Sequence, residues 1–390
     1  MNPRDLASAI ERRYDEFVDA LAEMVDIDCG TFVPAGVNRI ADLCEKRFRA
    51  GGWEVERISH EPPEGAPQLG DILIGQLPAE GPRILLIGHT DTVFPDKTAA
   101  GRPFRVEGTR AFGPGVSDMK SGLLAGLFAV EALQEAGAPL GAVTYVCNPD
   151  EEIGSPFSGP VIRDLAGAAD VAFVLESGRE NGDIVSARKG VSDFVVEITG
   201  RAAHAGVEPE RGRSAVLAAA LKTVALHELN RRWPGVTVNV GVIEGGIRPN
   251  VVAEFCRMHI DLRSPQIDTM EEAEAELERI CAESSVPDIE VSVKGRRWHR
   301  PMEKTPGIAR LAELAKEIAA ELGFEVNDAA TGGASDANST AAAGVPTLDG
   351  LGLIGGADHA PGEWADLGSF APRVSLLAGL IAKVSEDGAP

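Results

Sequence analysis

The chain has 390 residues and a formal net charge of −23, from 37 Lys and Arg against 60 Asp and Glu. With 44% hydrophobic and 25% charged residues it has a globular composition, which excludes wholesale disorder, and its length points to two domains. So acidic a surface repels phosphate backbones, so nucleic acid is not an expected partner.

The chain opens with apolar residues at helical spacing, Ile10, Tyr14, Phe17, Leu21 and Met24, which predict one amphipathic helix. Strand-like runs follow at Trp53 to Ile58, Asp71 to Leu77 and Arg83 to Ile87. Gly122 to Ala136 reads as a buried helix, and Val143 to Cys147 and Val171 to Leu175 as continuous apolar strands. Strands of that kind, alternating with helices, predict an α/β fold with a sheet covered on both faces.

Near Lys189 the texture changes. Ser192, Phe194, Val196 and Ile198 alternate as a half-solvated strand does, and Ser214 to Asn230 reads as a helix. Val236 to Ile243 is a predicted strand with Val236, Val238, Val240 and Val242 on one face. From Ala253 on, Cys256, Met258, Ile260 and Leu262 face one way and Arg257, His259, Asp261 and Arg263 the other. A helix at Met270 to Glu283 and a strand at Ile289 to Val293 complete a β-α-β-β-α-β order, the split arrangement of ferredoxin-like domains. Residues 188–298 are therefore expected to form an inserted α+β domain. After His299 the first texture returns, with a helix at Gly307 to Leu322, a short strand at Val345 to Leu348 and a largely helical end from Leu367 to Ser385. Residues 1–187 and 299–390 would make one discontinuous domain.

The five cysteines are odd in number, widely spaced and without a CxxC, which excludes a disulfide framework or a cysteine zinc site. The N-terminal residues hold no apolar signal core, and no stretch of 18 apolar residues occurs. A cytoplasmic protein with no membrane partner is expected.

Acidic and histidine residues collect after the strands. His89 and Asp91 follow one strand, in GHTDTVFP; Asp150, Glu151 and Glu152 follow the next, in NPDEEIGS; Glu176 follows a third, in VLESG. In open α/β sheets ligands bind beyond the carboxyl ends of the strands. Asp118 lies in the glycine-rich GPGVSDMKSG and His359 in GGADHAPGEW. Carboxylates so close repel one another unless cations intervene. Two imidazoles with several carboxylates and no thiolate suit zinc, cobalt or manganese, and a carboxylate bridge is the usual two-metal device.

HTD, DMKSG, DEEIGS, the isolated Glu176, the late His359, GRAAHAGVEPERG and TGGASDAN together resemble the M20 family of metallopeptidases, in its glutamate carboxypeptidase (carboxypeptidase G2-like) branch. The resemblance spans nearly the whole chain. It implies a zinc-peptidase-like α/β/α catalytic domain and an inserted ferredoxin-like dimerisation domain. It implies two zinc ions, one held by His89, Asp118 and Glu176 and the other by Asp118, Glu152 and His359. Asp91 would orient His89, Glu151 would be the general base, and His204 would reach a partner subunit's site and stabilise the oxyanion. Asn250 and Arg263 would take the substrate's carboxylate, and the Asp118–Met119 peptide bond would be cis. A homodimer acting on small peptides or N-acyl amino acids is expected, releasing a C-terminal glutamate or aspartate; an N-acyl-amino-acid deacylase or dipeptidase is the alternative. Arg188, Lys189, Arg201 and Arg248 are basic residues available to favour acidic side chains.

Other residues read as structural. His60, His227, His259 and His299 stand outside the motifs. Asp150 is expected to bond the loop backbone, and Lys120 to form an ion pair beside Asp118. The Gly350, Gly352 and Gly355 run matches GxGxxG, but a proline follows and no helical periodicity, so a dinucleotide site is not expected.

Overall fold

The computed structural model describes residues 3–283 and 286–389; Met1, Asn2 and Pro390, at the ends of the outer segments, and Ser284 and Ser285, within 188–298, lie outside them. The chain folds into two compact units. One is Met1–Ser186 with Lys304–Ala330 and Ser335–Pro390; the other is Ala187–Glu303 with Thr331–Ala334.

In the first unit a six-stranded sheet runs in the order Glu54–Ile58, Ile72–Leu77, Ala142–Asn148, Arg83–His89, Val171–Val174, Thr347–Leu348. Arg83–His89 pairs in parallel with both Ala142–Asn148 and Val171–Val174, while Ile72–Leu77 runs antiparallel. Ile84, Leu85, Leu86 and Ile87 are all at most 1% exposed, so both faces of this strand are covered, as its unbroken apolar run predicts. Each fully buried Leu or Ile of this kind contributes roughly 1.5–3 kcal/mol. The helix Ser121–Glu135 is buried on nearly every side, and the final helix, Phe370–Asp387, buries Phe370, Val374, Leu377 and Ile381. That last segment is long and apolar enough to cross a membrane, but most of it lies inside the fold.

Two local readings are revised, and the glycine run is accounted for. The first helix is two, Pro3–Glu11 and Tyr14–Val25, parted at Arg12 and Arg13; the Arg13 guanidinium is drawn to Glu16 and Glu131. A 17-residue helix, Pro34–Ala50, occupies a stretch not read as helical, although Val37, Ile40, Ala41, Cys44 and Phe48 sit at helical spacing and are buried. The glycine run at 350–355 is a packing device. Gly352 lies so close to the strand end that a Cβ there would meet the Leu175 carbonyl at 2.7 Å, and the buried Arg373 donates to the carbonyls of Gly350 and Gly352.

The second unit is the β-α-β-β-α-β fold: Gly190–Thr199, Ala215–Glu228, Thr237–Gly245, Phe255–Ser264, Ile267–Ala282 and Glu290–His299. Its antiparallel strands are ordered second, third, first, fourth, the ferredoxin-like order. Phe194, Val196, Ile198, Cys256, Met258, Ile260 and Leu262 form its core. The valine face of the second strand does not continue as expected. The register shifts between Val240 and Val242, so Val236 and Val238 are buried while Val242 is 45% exposed. Lys222, buried beneath the sheet, donates to the carbonyls of Ile280, Cys281 and Glu283 and so serves the C-terminal end of the helix Ile267–Ala282.

Candidate metal centre

The parallel register sets the site. His89 ends its strand opposite Asn148, and Ile87 pairs with Val174, so the segments carrying His89, Glu151–Glu152 and Glu176 leave the sheet side by side at its carboxyl edge. Asp118 arrives from the loop before the helix Ser121–Glu135, in an extended backbone with a cis bond to Met119. His359 arrives from the loop between the short strands Gly355–Gly356 and Trp364–Asp366, with a left-handed backbone at φ 62°.

Asp118 stands between the two histidines. Its Oδ1 is 3.0 Å from His89 Nε2, and its Oδ2 is 3.0 Å from His359 Nε2. Glu176 Oε1 lies 3.8 Å from His89 Nε2, and Glu152 Oε2 lies 3.1 Å from His359 Nε2. His89, Asp118 and Glu176 thus form one trio and Asp118, Glu152 and His359 another, each with its donor atoms within 4.8 Å of one another.

The donor set is suited to divalent cations on two grounds. Glu152 Oε1 is buried with no hydrogen-bond partner among the described residues, which is costly for a carboxylate oxygen unless a ligand completes it. The electrostatics point the same way. Burial, then the neighbouring Glu176, pushes Glu151 well up, and burial raises Glu152. Hydrogen bonds to Asp118 and Glu152 raise His359 to about 10. Burial opposes charge on His89, yet hydrogen bonds to Asp118 and Asp91 raise it well above its ordinary value. Without cations the protons of two imidazoles are left to neutralise the carboxylates; divalent ions would take over that task.

The supporting contacts differ in detail from expectation. His89 Nδ1 lies 3.0 Å from the Asp91 carbonyl and 3.4 Å from its carboxylate. The Asp91 carboxylate also accepts from Thr31 Oγ1 at 2.6 Å and from the Glu151 and Glu152 N–H groups, so it steadies both the histidine and the acidic turn. Lys120 is not paired with Asp118; its Nζ donates to the carbonyls of Ile27 and Pro114. Asp150 accepts from the Phe157 and Ser158 N–H groups, as expected of a loop former.

Two buried carboxylates went unread in the sequence. Asp336, in SDAN, accepts from Ser155 Oγ at 2.6 Å and Asn148 Nδ2 at 2.8 Å and thereby brackets the Glu151–Glu152 turn from both sides; burial pushes it up to about 6. Glu363 accepts from the N–H groups of Gly115, Ser117 and Asp118. The only signal for either was its place in a motif already noticed.

The other predicted site residues belong to the second unit. His204 is exposed, with Nδ1 accepting from the Gly206 N–H. Asn250 is brought beside it, since the Asn250 carbonyl accepts from the Ala205 N–H and His204 bridges to Val251. Arg263 is held by Asp261 and donates to the Gly332 carbonyl, and Arg188 donates to that of Gly333. His60 and His227 accept from the N–H groups of Leu69 and Val240.

Residues 85–383 match the model of peptidase family M20/M25/M40. The chain is 28% identical over 372 residues to carboxypeptidase G2 of Pseudomonas sp. (strain RS-16), covering 93% of this chain and 88% of that one. It is also 28% identical over 361 residues to succinyl-diaminopimelate desuccinylase of Methylobacterium sp. (strain 4-46), covering 85% and 87%. Its fold matches the crystal structure of aminopeptidase PepT from Bacillus cereus ATCC 10987 with a TM-score of 0.78 at 26% identity, over 95% of this chain and 98% of that one.

Proposed function

Because the chain belongs to peptidase family M20/M25/M40 and is therefore a hydrolase, we propose that it is a dinuclear metal enzyme cleaving an amide bond beside a free α-carboxylate. The favoured product is a C-terminal glutamate or aspartate. The observation that carries this reading is the position of Asp118, one oxygen toward each histidine, at the junction of two ligand trios.

His89, Asp118 and Glu176 would hold one ion and Asp118, Glu152 and His359 the other; zinc, cobalt and manganese all accept such donors. When bound, a pair of divalent cations lowers the pKa of a water and polarises the substrate carbonyl. Glu151, outside both trios but next to Glu152, accepts the proton of the attacking water and returns it to the departing amine. Asp91 fixes the orientation of His89. Arg263, whose fork matches a carboxylate, and Asn250 take the free carboxylate, and His204 of a partner subunit donates to the oxyanion.

A homodimer follows in this reading, with support from an apolar face on the second unit. Leu217, Leu221 and Val224 lie on one side of the helix Ala215–Glu228 and are 44–67% exposed; Val242 and Ile243, on the strand Thr237–Gly245 at the sheet edge, are 45% and 47% exposed. Val224→Asp should then convert a dimer to a monomer, with a dissociation constant raised by about 10²-fold or more, because a carboxylate would have to be desolvated on association. Sedimentation equilibrium checks this; an unchanged dimer in the variant, or a monomeric and fully active parent, would remove the proposed interface. The five buried, unpaired thiols agree with a reducing, cytoplasmic setting.

The leaving group is tested by amino acid release from N-acyl-glutamates, N-acyl-aspartates, neutral N-acyl amino acids and dipeptides, each with metal-stripped and zinc-reloaded protein. Zinc-dependent release confined to acidic residues is expected. Release of neutral residues would keep the centre and favour the deacylase or dipeptidase reading, to which the likeness to a desuccinylase lends weight. No release from any of them, with two metals bound, would overturn the substrate assignment.

A further inference from the structure

Glu363 carries a carboxylate, yet it is only 1% exposed. Its placement follows from strand pairing. The short strand Trp364–Asp366 pairs with Arg110–Phe112 so that Trp364 lies opposite Phe112, and with Gly355–Gly356 so that Trp364 also faces Gly356. Glu363, one residue earlier, is thereby set against the loop that leaves Phe112 toward Asp118. There its Oε2 accepts from the Gly115 N–H at 2.9 Å, and its Oε1 accepts from the Ser117 N–H at 2.9 Å and the Asp118 N–H at 3.0 Å. The same pairing of Gly356 with Trp364 closes the loop 357–363, which holds both Glu363 and His359. One carboxylate therefore ties the His359 loop to the backbone of Asp118, the residue shared by the two trios.

We propose that Glu363 is a positioning residue that sets the distance between Asp118 and His359 and so the affinity of the second metal position; this rests on the dinuclear reading above. Three backbone donors in a buried loop need an acceptor, and only a carboxylate offers two oxygens to take all three. Glutamine offers one oxygen and turns an N–H donor toward other N–H groups. The Asp118 loop would then be free to drift from His359, and loss of such outer partners commonly costs a metal site about 10–100-fold in affinity.

The experiment is a cobalt(II) titration of metal-stripped protein, read by visible absorption, on the parent, Glu363→Gln and Glu363→Asp, with a thermal melt of each metal-free protein. The parent should bind two equivalents. Glu363→Gln should keep one and bind the second about 10–100-fold more weakly, with a changed cobalt spectrum and with turnover recovering at raised cobalt. Glu363→Asp, which keeps both oxygens on a shorter arm, should fall between the two. If the melt shows Glu363→Gln unfolded, the Glu363→Asp isotherm decides. A folded variant whose isotherm and spectrum superimpose on the parent's would overturn the role of Glu363 and leave the dinuclear centre standing. A parent that binds fewer than two ions would overturn the dinuclear reading and this proposal with it.

Discussion

Replacing Glu151 by glutamine is expected to lower kcat by about 10²–10⁴-fold while both metal positions keep their affinity. Glu151 belongs to neither ligand trio, so its carboxylate is available for proton transfer. The residue is held in place by its backbone, since its N–H donates to Asp91 Oδ1 at 3.2 Å, and that bond survives any change of side chain. Glutamine has nearly the same shape as glutamate and removes only the capacity to take a proton from water and return it to the amine. The check is turnover and zinc content measured on one preparation. Unchanged turnover would exclude Glu151 as the base. Turnover and zinc lost in parallel would make it a ligand instead.

Asp118→Asn should do the opposite and strip metal from the centre. Both oxygens of Asp118 are used, each 3.0 Å from a different histidine nitrogen. An amide keeps one oxygen and sets an N–H donor where the other acceptor stood, so one trio loses a ligand and the other loses a negative charge. Zinc stoichiometry should fall from two to at most one, and kcat by about 10³-fold or more, the scale on which removing a group essential to the reacting centre acts. The rise in Tm on adding zinc should shrink with it. An ion at 1,000 times its dissociation constant stabilises the native state by about 4 kcal/mol, and weaker binding returns that stability. Two zinc ions retained with unchanged affinity in Asp118→Asn would sink the shared-ligand assignment.

The two variants separate base from ligand, a distinction that adjacency in the chain leaves open. Glu151 and Glu152 are neighbours in DEEIGS, yet the turn sends Glu152 to within 3.1 Å of His359 and leaves Glu151 beside Glu176, where the two carboxylates repel.

The candidate ligands were legible because each sits directly after a strand or in a glycine-rich turn, and a parallel sheet brings strand ends together whatever its loops do. His89, Glu152 and Glu176 needed no knowledge of the loops to be grouped. Asp118 and His359 entered through their motifs. The ferredoxin-like unit was legible for a similar reason: Cys256, Met258, Ile260 and Leu262 repeat with period two, and that period is local. The same reasoning failed at Val242. A bulge is an extra residue relative to a partner strand, and the partner is not written in the strand's own pattern. It failed again at Arg12 and Arg13, where the apolar spacing carries through a break at which the Arg13 guanidinium reaches Glu131, 118 residues away.

What the amino-acid sequence determines by itself is therefore what depends on near neighbours: the type of most elements, the two textures of the chain, and the candidate ligand residues at strand ends. The supports of the centre were decided only in three dimensions. Thr31 meets Asp91 across 60 residues, Asp336 meets Asn148 across 188, and Glu363 meets the Asp118 N–H across 245. In each a buried side chain satisfies a partner brought to it by sheet register or loop closure. A buried polar group must find such a partner, but nothing in the residues beside it says which one.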